Sequence, residues 1–472
     1  MLVIDTQDIP ALDEHNQQLL YCGLDSALTL EIRDSLNGLM DEIAQETYEA
    51  ERRLLAPVMD MMSRGFKIDE TMRAEVIAEL SARRDVVVPV LNELAETVWG
   101  GPINHRSPVQ LKEFFYNALA IPPVIVAKKG EKKISTDREA LEKIGRQYVR
   151  ARAFTNAILR LRDIEKTLST TETGLLNGRW HANFNISGTD TGRWSSSEHP
   201  LGFGANLQNI DDTIRRMFVA DDGMELFSCD QQGAESRAVA YLSGDPGYMR
   251  GVEEGDIHTM VAAMTWNFEF KRELADRKFY RDMSYRDVAK RLGHGSNYLG
   301  TARTLSQLAN VELELVEDFQ KRYFKGFPGI REWQMWTARK IQTDGWITTP
   351  FGRRRFVWDR AREETTIRAL IAYVPQSTIG EYTARAIRRL WDNVPDVQLL
   401  NNVHDAVIGQ FDKQIRLDAL PRIMANLEEE ITFVDIKGVE RKRTIPWEAS
   451  VGGNWGKYHK AKNPNGLKVI HG

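Results

Sequence analysis

Apolar residues recur at helical spacing through most of the first half of the chain, in stretches such as PVQLKEFFYNAL (108–119) and ILRLRDIEKTLST (158–170). Ser107 followed by Pro108 offers an N-cap and a proline at the first helical position. Thr136 with Glu139 has the spacing of a capping box and predicts one long helix from there to about residue 168. Between these helices AKKGEKKIST (127–136) reads as a polar, basic loop, either simply solvated or in contact with phosphates. From 180 to 209 the helical period is lost and Gly, Ser, Thr and Asn dominate, which predicts a loop-rich β region. Residues 225–229 then suit a short buried strand, Gly233 a turn and 234–242 a helix. The stretch 251–345 is mostly helical in pattern. GWITTPFGRRRFVW (345–358) returns to β character around three consecutive arginines, and VQLLNNVHDAVIGQF (397–411) predicts two strands joined at His404-Asp405. This segregation implies an α+β protein with a catalytic sheet and large helical additions.

Composition narrows the class. The 472 residues are 42% hydrophobic and 28% charged, ordinary for a folded globular chain. No apolar run reaches the roughly 18 residues of a membrane span, and MLVIDTQDIP has neither the basic nor the apolar region of a secretory signal. The expectation is a cytoplasmic protein with no membrane partner. Two distant cysteines fit reduced thiols, and no zinc-type Cys/His spacing occurs. A net charge of −4 excludes a uniformly basic coat but not a local basic patch.

Candidate chemistry gathers in three places. Asp230 ends one predicted strand and Asp405 lies in a turn between two others, so the pair could share two Mg²⁺ ions about 3.5–4 Å apart. Either aspartate alone is equally well explained as a turn residue. The third place is YRDVAKRLGHGSNYLG (285–300), where Arg286, Lys290, His294 and Tyr298 recur every four residues. Ser284 and Asp287 form a capping box that starts a helix at Tyr285, so Arg286 and Lys290 fall near its positive end, where anions are favoured. The stripe runs about 18 Å, enough for a triphosphate, a sugar and a base. A solvated basic face is the plain alternative. Gly293 and Gly295 weaken that helix by about 1 kcal/mol each, and the expectation is that they let a base pair approach closely. For Arg353 to Arg355 the choice lies between a further cationic turn and salt-bridging, and His258 opens another predicted helix.

Taken together, these segments resemble the family A DNA polymerases. SCDQQGAESR (228–237) and VHDA (403–406) are similar to the first and last palm motifs of that family, and RDVAKRLGHGSNYLG to its fingers helix. TGRWSSSEHPLGFGANLQNI, IRRMFVA, GWITTPFGRRR, IPWEASVGGNW, ILRLRDIEKTLST and INHRSPVQL resemble further family segments in the same order, over about 45–457. The resemblance implies a right hand with an antiparallel-sheet palm, helical fingers and a helical thumb. It divides the chain into an exonuclease-like remnant (1–40), thumb and preceding helices (41–180), palm (181–250 and 363–472) and fingers (251–362). The implied activity is extension of a primer 3′-hydroxyl with dNTPs on a DNA template, with release of pyrophosphate, by two Mg²⁺ ions (Mn²⁺ as a substitute) on Asp230 and Asp405. Lys290, Arg286 and His258 would meet the triphosphate, and Glu235 would be the steric gate against a 2′-hydroxyl. Tyr298 and His294 would lie near the base and sugar, with Gln231 beside the metal aspartate. Arg193, Asn206, Gln208, Arg237, Arg368, Gln376 and His404 would contact or order the primer-template.

Four positions depart from the family pattern: His294 stands for an aromatic ring, Gln231 for a tyrosine, Ala406 for the acid after the last palm aspartate, and Ala372 for an asparagine. LLYCGLDSALTLEI resembles the last motif of a 3′–5′ exonuclease, with Tyr21 and Asp25 in place. VIDTQD superficially resembles its first motif but has Gln7 for the acid. One carboxylate cannot hold two metals, so the expectation is no proofreading by this chain and a separately encoded exonuclease polypeptide. The compact form with a histidine in the fingers helix looks like a bacteriophage replicative enzyme acting in a bacterial host cytoplasm. A single-subunit RNA polymerase would lack Glu235 and the TGRWSSS loop, and a non-catalytic subunit should have lost Asp230, Lys290 or Asp405.

Overall fold

A computed structural model describes residues 12–128, 131–358 and 360–471. The VIDTQD stretch and the Lys129-Gly130 pair lie outside them.

Helix α1 (Glu14–Asn37) begins at the Asp13 cap and contains no buried residue; Tyr21 and Asp25 are both exposed on it. Helices α2 (Glu42–Arg52) and α3 (Leu55–Arg64) follow, and α3 turns Pro57, Val58 and Met61 into the core. The long helix α4 (Glu70–Trp99) buries Val76, Leu80, Val87, Leu91 and Ala95, one stripe at helical spacing. That stripe packs on α6 (Val149–Thr171), whose Phe154, Ile158, Leu161, Ile164 and Leu168 repeat the pattern. Arg73 near the start of α4 donates to the Thr171 and Thr173 carbonyls at the end of α6, which fixes the two end to end.

Two expectations for this half need correction. The single helix from 136 to 168 is two: α5 (Arg138–Gln147), capped by Asp137 rather than Thr136, and α6, with Tyr148 extended between them. The chain turns there so that α5 packs against α6, and a Cβ at Gly145 would lie 2.4 Å from Thr155 Oγ1. The basic loop at 127–136 is instead largely a hairpin, Ile125–Lys128 paired with Glu131–Ile134.

The second half is built on one five-stranded antiparallel sheet. Its strands are β1 (Met224–Gln231), β2 (Gln398–Val403), β3 (Ala406–Asp412), β4 (Trp447–Gly452) and β5 (Lys468–His471), in the spatial order β2-β3-β1-β4-β5. Leu226, Phe227, Cys229, Val407, Ile408, Trp447 and Ala449 are among its buried side chains. Helix α7 (Ala234–Ser243) follows β1 directly. Between 251 and 345 come α8 (Ile257–Trp266), α9 (Tyr285–Asn297), α10 (Leu313–Gly326) and α11 (Pro328–Asp344), with shorter helices and an unanticipated small hairpin, Lys278–Tyr280 with Met283–Ser284. Helix α12 (Glu364–Asn393) packs against α7 and β3 and is buried along most of its central turns. Thr378 and Thr383 donate to the carbonyls four residues back, so these buried hydroxyls are satisfied within α12.

The three arginines sit on a hairpin, Trp346–Thr348 with Arg354–Phe356. Each finds a carboxylate: Arg353 reaches Glu51 and Glu381, Arg354 reaches Asp41, and Arg355 reaches Asp190. The cationic turn is a salt-bridged joint between distant parts of the chain. Among the described residues no helix is long and apolar enough to cross a membrane.

Candidate active site

Strand β1 carries Asp230 one residue from its end. Successive strand residues face opposite ways, so Asp230 opens onto a cleft while Gln231 is buried behind the sheet and donates to Thr383 Oγ1 at 2.7 Å. Gly233, at φ 57, makes the left-handed step that starts α7 and puts Glu235 in its first turn. Asp230 has two cross-strand neighbours, Ala406 on β3 and Glu448 on β4. The two-residue turn His404-Asp405 joins β2 to β3, with His404 in the left-handed region at φ 56, as tight hairpin turns require. Register therefore brings Asp405 beside Asp230, although the two are far apart in sequence.

Across the cleft stands α9. Ser284 Oγ accepts from the Asp287 N–H at 3.1 Å and the Asp287 carboxylate accepts from the Ser284 N–H at 3.0 Å, a complete capping box. Val288, Ala289, Leu292 and Ser296 face the interior, which leaves Lys290 and His294 exposed on the cleft side. Among the described residues Lys290 has no ion-pair partner. Gly295 serves packing within the protein, since a Cβ there would lie 2.3 Å from Leu305 Cδ2, whereas one at Gly293 would meet the Tyr323 ring at an ordinary contact distance of 3.6 Å. The helix ends at Asn297, so Tyr298 belongs to its C-terminal cap.

The cleft has a volume of about 1380 Å³, with Asp230, Asp405 and Glu448 on one wall and His258, Arg286, Lys290 and His294 on the other. Asp230 is open to water only from the cleft. Its partial desolvation, then the charges of Asp405 and Glu448, push its carboxyl up to about 6. Asp405 is also raised, by burial and then by Glu235, against its own backbone N–H and Arg193. Burial holds the His258 imidazole down to about 4 despite Asp256 beside it. Among the described residues no three carboxylate, imidazole or thiol groups converge closely enough to hold an ion by themselves. Two neighbouring carboxylates with raised pKa values and hard oxygen donors do fit divalent cations that keep other ligands in their remaining positions.

Glu235 is held from three sides. Arg193 Nη2 donates to its Oε1 at 2.5 Å, Tyr298 Oη donates to its Oε2 at 2.7 Å, and His294 Nε2 stands 3.5 Å from Oε2. Burial works to raise its pKa, but Arg193, His294 and Tyr298 outweigh it and hold the group below the usual glutamate value.

A model of DNA polymerase family A matches residues 74–457. The chain belongs to that family. Among its relatives, the thermostable DNA polymerase I of Thermus filiformis is 32% identical over 86% of this chain and 48% of its own length. The corresponding Thermus aquaticus enzyme is 30% identical over 81% of this chain and 46% of its own. DNA polymerase I of Chloroflexus aurantiacus is 27% identical over 92% and 46%. The chain thus spans about half the length of these curated relatives. Its fold is similar to the solved polymerase domain of Mycobacterium smegmatis Pol1, described in complex with DNA primer-template and dNTP, with a TM-score of 0.71 over 86% of this chain and 70% of that one, at 23% identity. The α+β polymerase fold expected from sequence is the fold observed.

Several of the family A site candidates are held by partners within the protein. Arg286 forms a two-pronged pair with Asp256, which also caps α8 and holds Thr259 and Arg272. Arg237 donates to the Gln232 carbonyl and Tyr241 near its own turn. Gln208 is buried and donates to Asn402, while Asn206 caps the short turn Leu207–Asn209 and accepts from Ser196. Arg368 pairs with Glu364 one turn earlier on α12, and Gln376 lies two turns further on, half-buried. His404 is exposed beside Asp405. Glu448 escaped the sequence reading: its motif was recognised, but only the sheet register sets this carboxylate against Asp230. The alternation of buried Trp447 and Ala449 around it was the available signal.

Proposed function

We propose that this chain is a template-directed DNA polymerase that extends a primer 3′-hydroxyl with dNTPs and releases pyrophosphate. The observation that carries the reading is the cleft, with Asp230 and Asp405 on one wall and Lys290, without an ion-pair partner among the described residues, on the other. In this reading 41–180 form the thumb and preceding helices, 181–250 with 363–472 the palm, and 251–362 the fingers. Asp230 and Asp405 would hold two Mg²⁺ ions. Bound there, such ions would make the 3′-hydroxyl more acidic and offset the charge of the triphosphate.

The chain's own groups supply the rest. Lys290, an ammonium across the cleft from the carboxylates, neutralises the triphosphate and can give a proton to departing pyrophosphate. The pair with Asp256 uses Arg286 Nε and Nη2, which leaves Nη1 to donate to phosphate while Asp256 holds the guanidinium in place. His258, neutral at pH 7, is a hydrogen-bond donor to phosphate rather than a fixed charge. Glu235, held from three sides, is the rigid wall that a 2′-hydroxyl would meet.

The reading extends to a replicative enzyme of a bacteriophage, working in the host cytoplasm. It assigns proofreading to a separate polypeptide, because the exonuclease-like stretch carries one carboxylate, Asp25, at the positions of the motif it resembles. Primer extension by the purified chain with Mg²⁺, comparing dNTPs with rNTPs, tests the central claim. Extension with dNTPs should be abolished in Asp405→Ala while primer-template binding persists; near-normal extension by that variant would end the two-metal assignment. Metal-dependent shortening of a labelled single strand without dNTPs would refute the absence of proofreading.

A further inference from the structure

The hairpin that carries the three arginines leaves two aromatic rings outside the core. Phe356 ends its second strand and Trp358 follows two residues later, with ring centroids 5.8 Å apart and an interplanar angle of 38°. Phe356 is 50% exposed and Trp358 91%. Isolated exposed rings are ordinary, but these two border a cavity of about 360 Å³ between the hairpin and the start of α12, which Arg355, Thr365 and Thr366 also line. Trp346, the cross-strand partner of Phe356, is different: Arg354 and Lys340 lie over its ring at 5.2 and 5.7 Å. Among the described residues no cation lies over Phe356 or Trp358, and the Thr365 and Thr366 hydroxyls have no partner. We propose that this cavity is a base-stacking site for the unpaired template strand ahead of the primer end. A nucleobase lies against Trp358 and Phe356, and its phosphate meets Arg355 and the threonine hydroxyls. The proposal rests on the reading of the chain as a template-directed polymerase.

The chemistry selects a single strand. Every nucleobase has a π-face, but in a duplex those faces are covered by neighbouring pairs. In a primer-template only the template beyond the primer end offers them free. Open aromatic rings beside a cation hold such a strand without reading its sequence. Arg355 gives Nη2 to Asp190, itself 81% exposed, and keeps other donors for phosphate. The place in the fold agrees. Thr365 lies one turn before Arg368 on α12, and Thr366 about 15 Å before Gln376 at 1.5 Å per residue. Arg368 and Gln376 are the α12 residues read as primer-template contacts, so a strand leaving them along the helix arrives at the cavity.

The test is equilibrium binding of labelled primer-templates whose template overhang grows from blunt upward. Wild-type affinity should rise in a step once the overhang reaches the cavity. Trp358→Ala should remove about tenfold in Kd from that gain, the scale of one stacked base. Blunt primer-template, which cannot reach the site, should bind both proteins alike. Because Trp358 is so exposed, its replacement leaves the core intact. Trp358→Phe, which keeps a ring, should recover most of the loss. An abasic residue moved along the overhang locates the base: at one position it should mimic Trp358→Ala, and combining the two should add nothing further. Wild-type affinity independent of overhang length overturns the proposal, and is the result expected if the two rings instead meet a protein. A Trp358→Ala loss equal for blunt and overhung substrates overturns it as well. If the wild type neither binds nor extends primer-template, the polymerase reading itself has failed; if it extends dNTPs without overhang dependence in binding, the stacking site alone has failed.

Discussion

Asp230 lies on one wall of the cleft with Asp405 and Glu448 beside it, so its negative charge works against the metal-free fold. Its pKa is raised in the folded state, which means the associated stability is present below the unfolded value near 4 and lost as pH rises through about 6. Asp230→Asn should therefore stabilise the metal-free protein above pH 6, by about 1 kcal/mol once solvent screening at this open site is allowed for. The gain should vanish near pH 4, and extension activity should be lost at every pH. Urea denaturation of both proteins across pH 4–8 checks the sign. At this scale Asp230, Asp405 and Lys290 were legible because local signals, a strand end, a hairpin turn and a capping box, fix their direction. Gln231, Arg286 and Gln208 were not, because their side chains are claimed by Thr383, Asp256 and Asn402, residues that only the fold brings near. The same holds for Glu448, whose neighbour Asp230 is set by strand register.

Elements with complete local signals came out at the expected residues. Helix α9 starts at Tyr285 because the capping box satisfies donors at its first turn, and β1, Gly233 and α7 follow the change of period from two to 3.6. The failure at 136–168 has a tertiary cause, since the sequence around Tyr148 lacks proline or any other strong breaker. The corner between α5 and α6 is set by the close approach of Gly145 and Thr155. A glycine-to-alanine change inside a helix ordinarily stabilises it by up to about 1 kcal/mol. Here Gly145→Ala should instead cost about 1–3 kcal/mol by overpacking, and Thr155→Ala in the same chain should recover part of that loss. Thermal unfolding of the two variants decides between propensity and packing. The hairpin at 125–134 was missed for a simpler reason: a short, lysine-rich edge looks like a solvated loop in sequence.

For the molecule as a whole, fold class was legible from the segregation of helical and β patterns, and the order of recognisable motifs made the family legible. Strand order was not, because β1 is flanked by β3 and β4, which arrive more than 150 residues later. The three-arginine turn belongs to the same category, a local run whose partners are distant, at 302, 313 and 165 residues for Glu51, Asp41 and Asp190. Closing such loops is entropically costly and contributes little until the rest is in place. Helix α2 contains no fully buried residue, so two of these ion pairs, Arg353 with Glu51 and Arg354 with the cap Asp41, are a principal tie between it and the remainder. That makes α2 a clasp fastened by charge rather than by core. As ionic strength rises, its amides should lose protection against hydrogen exchange before those of β1 and β3, and on refolding they should regain it last.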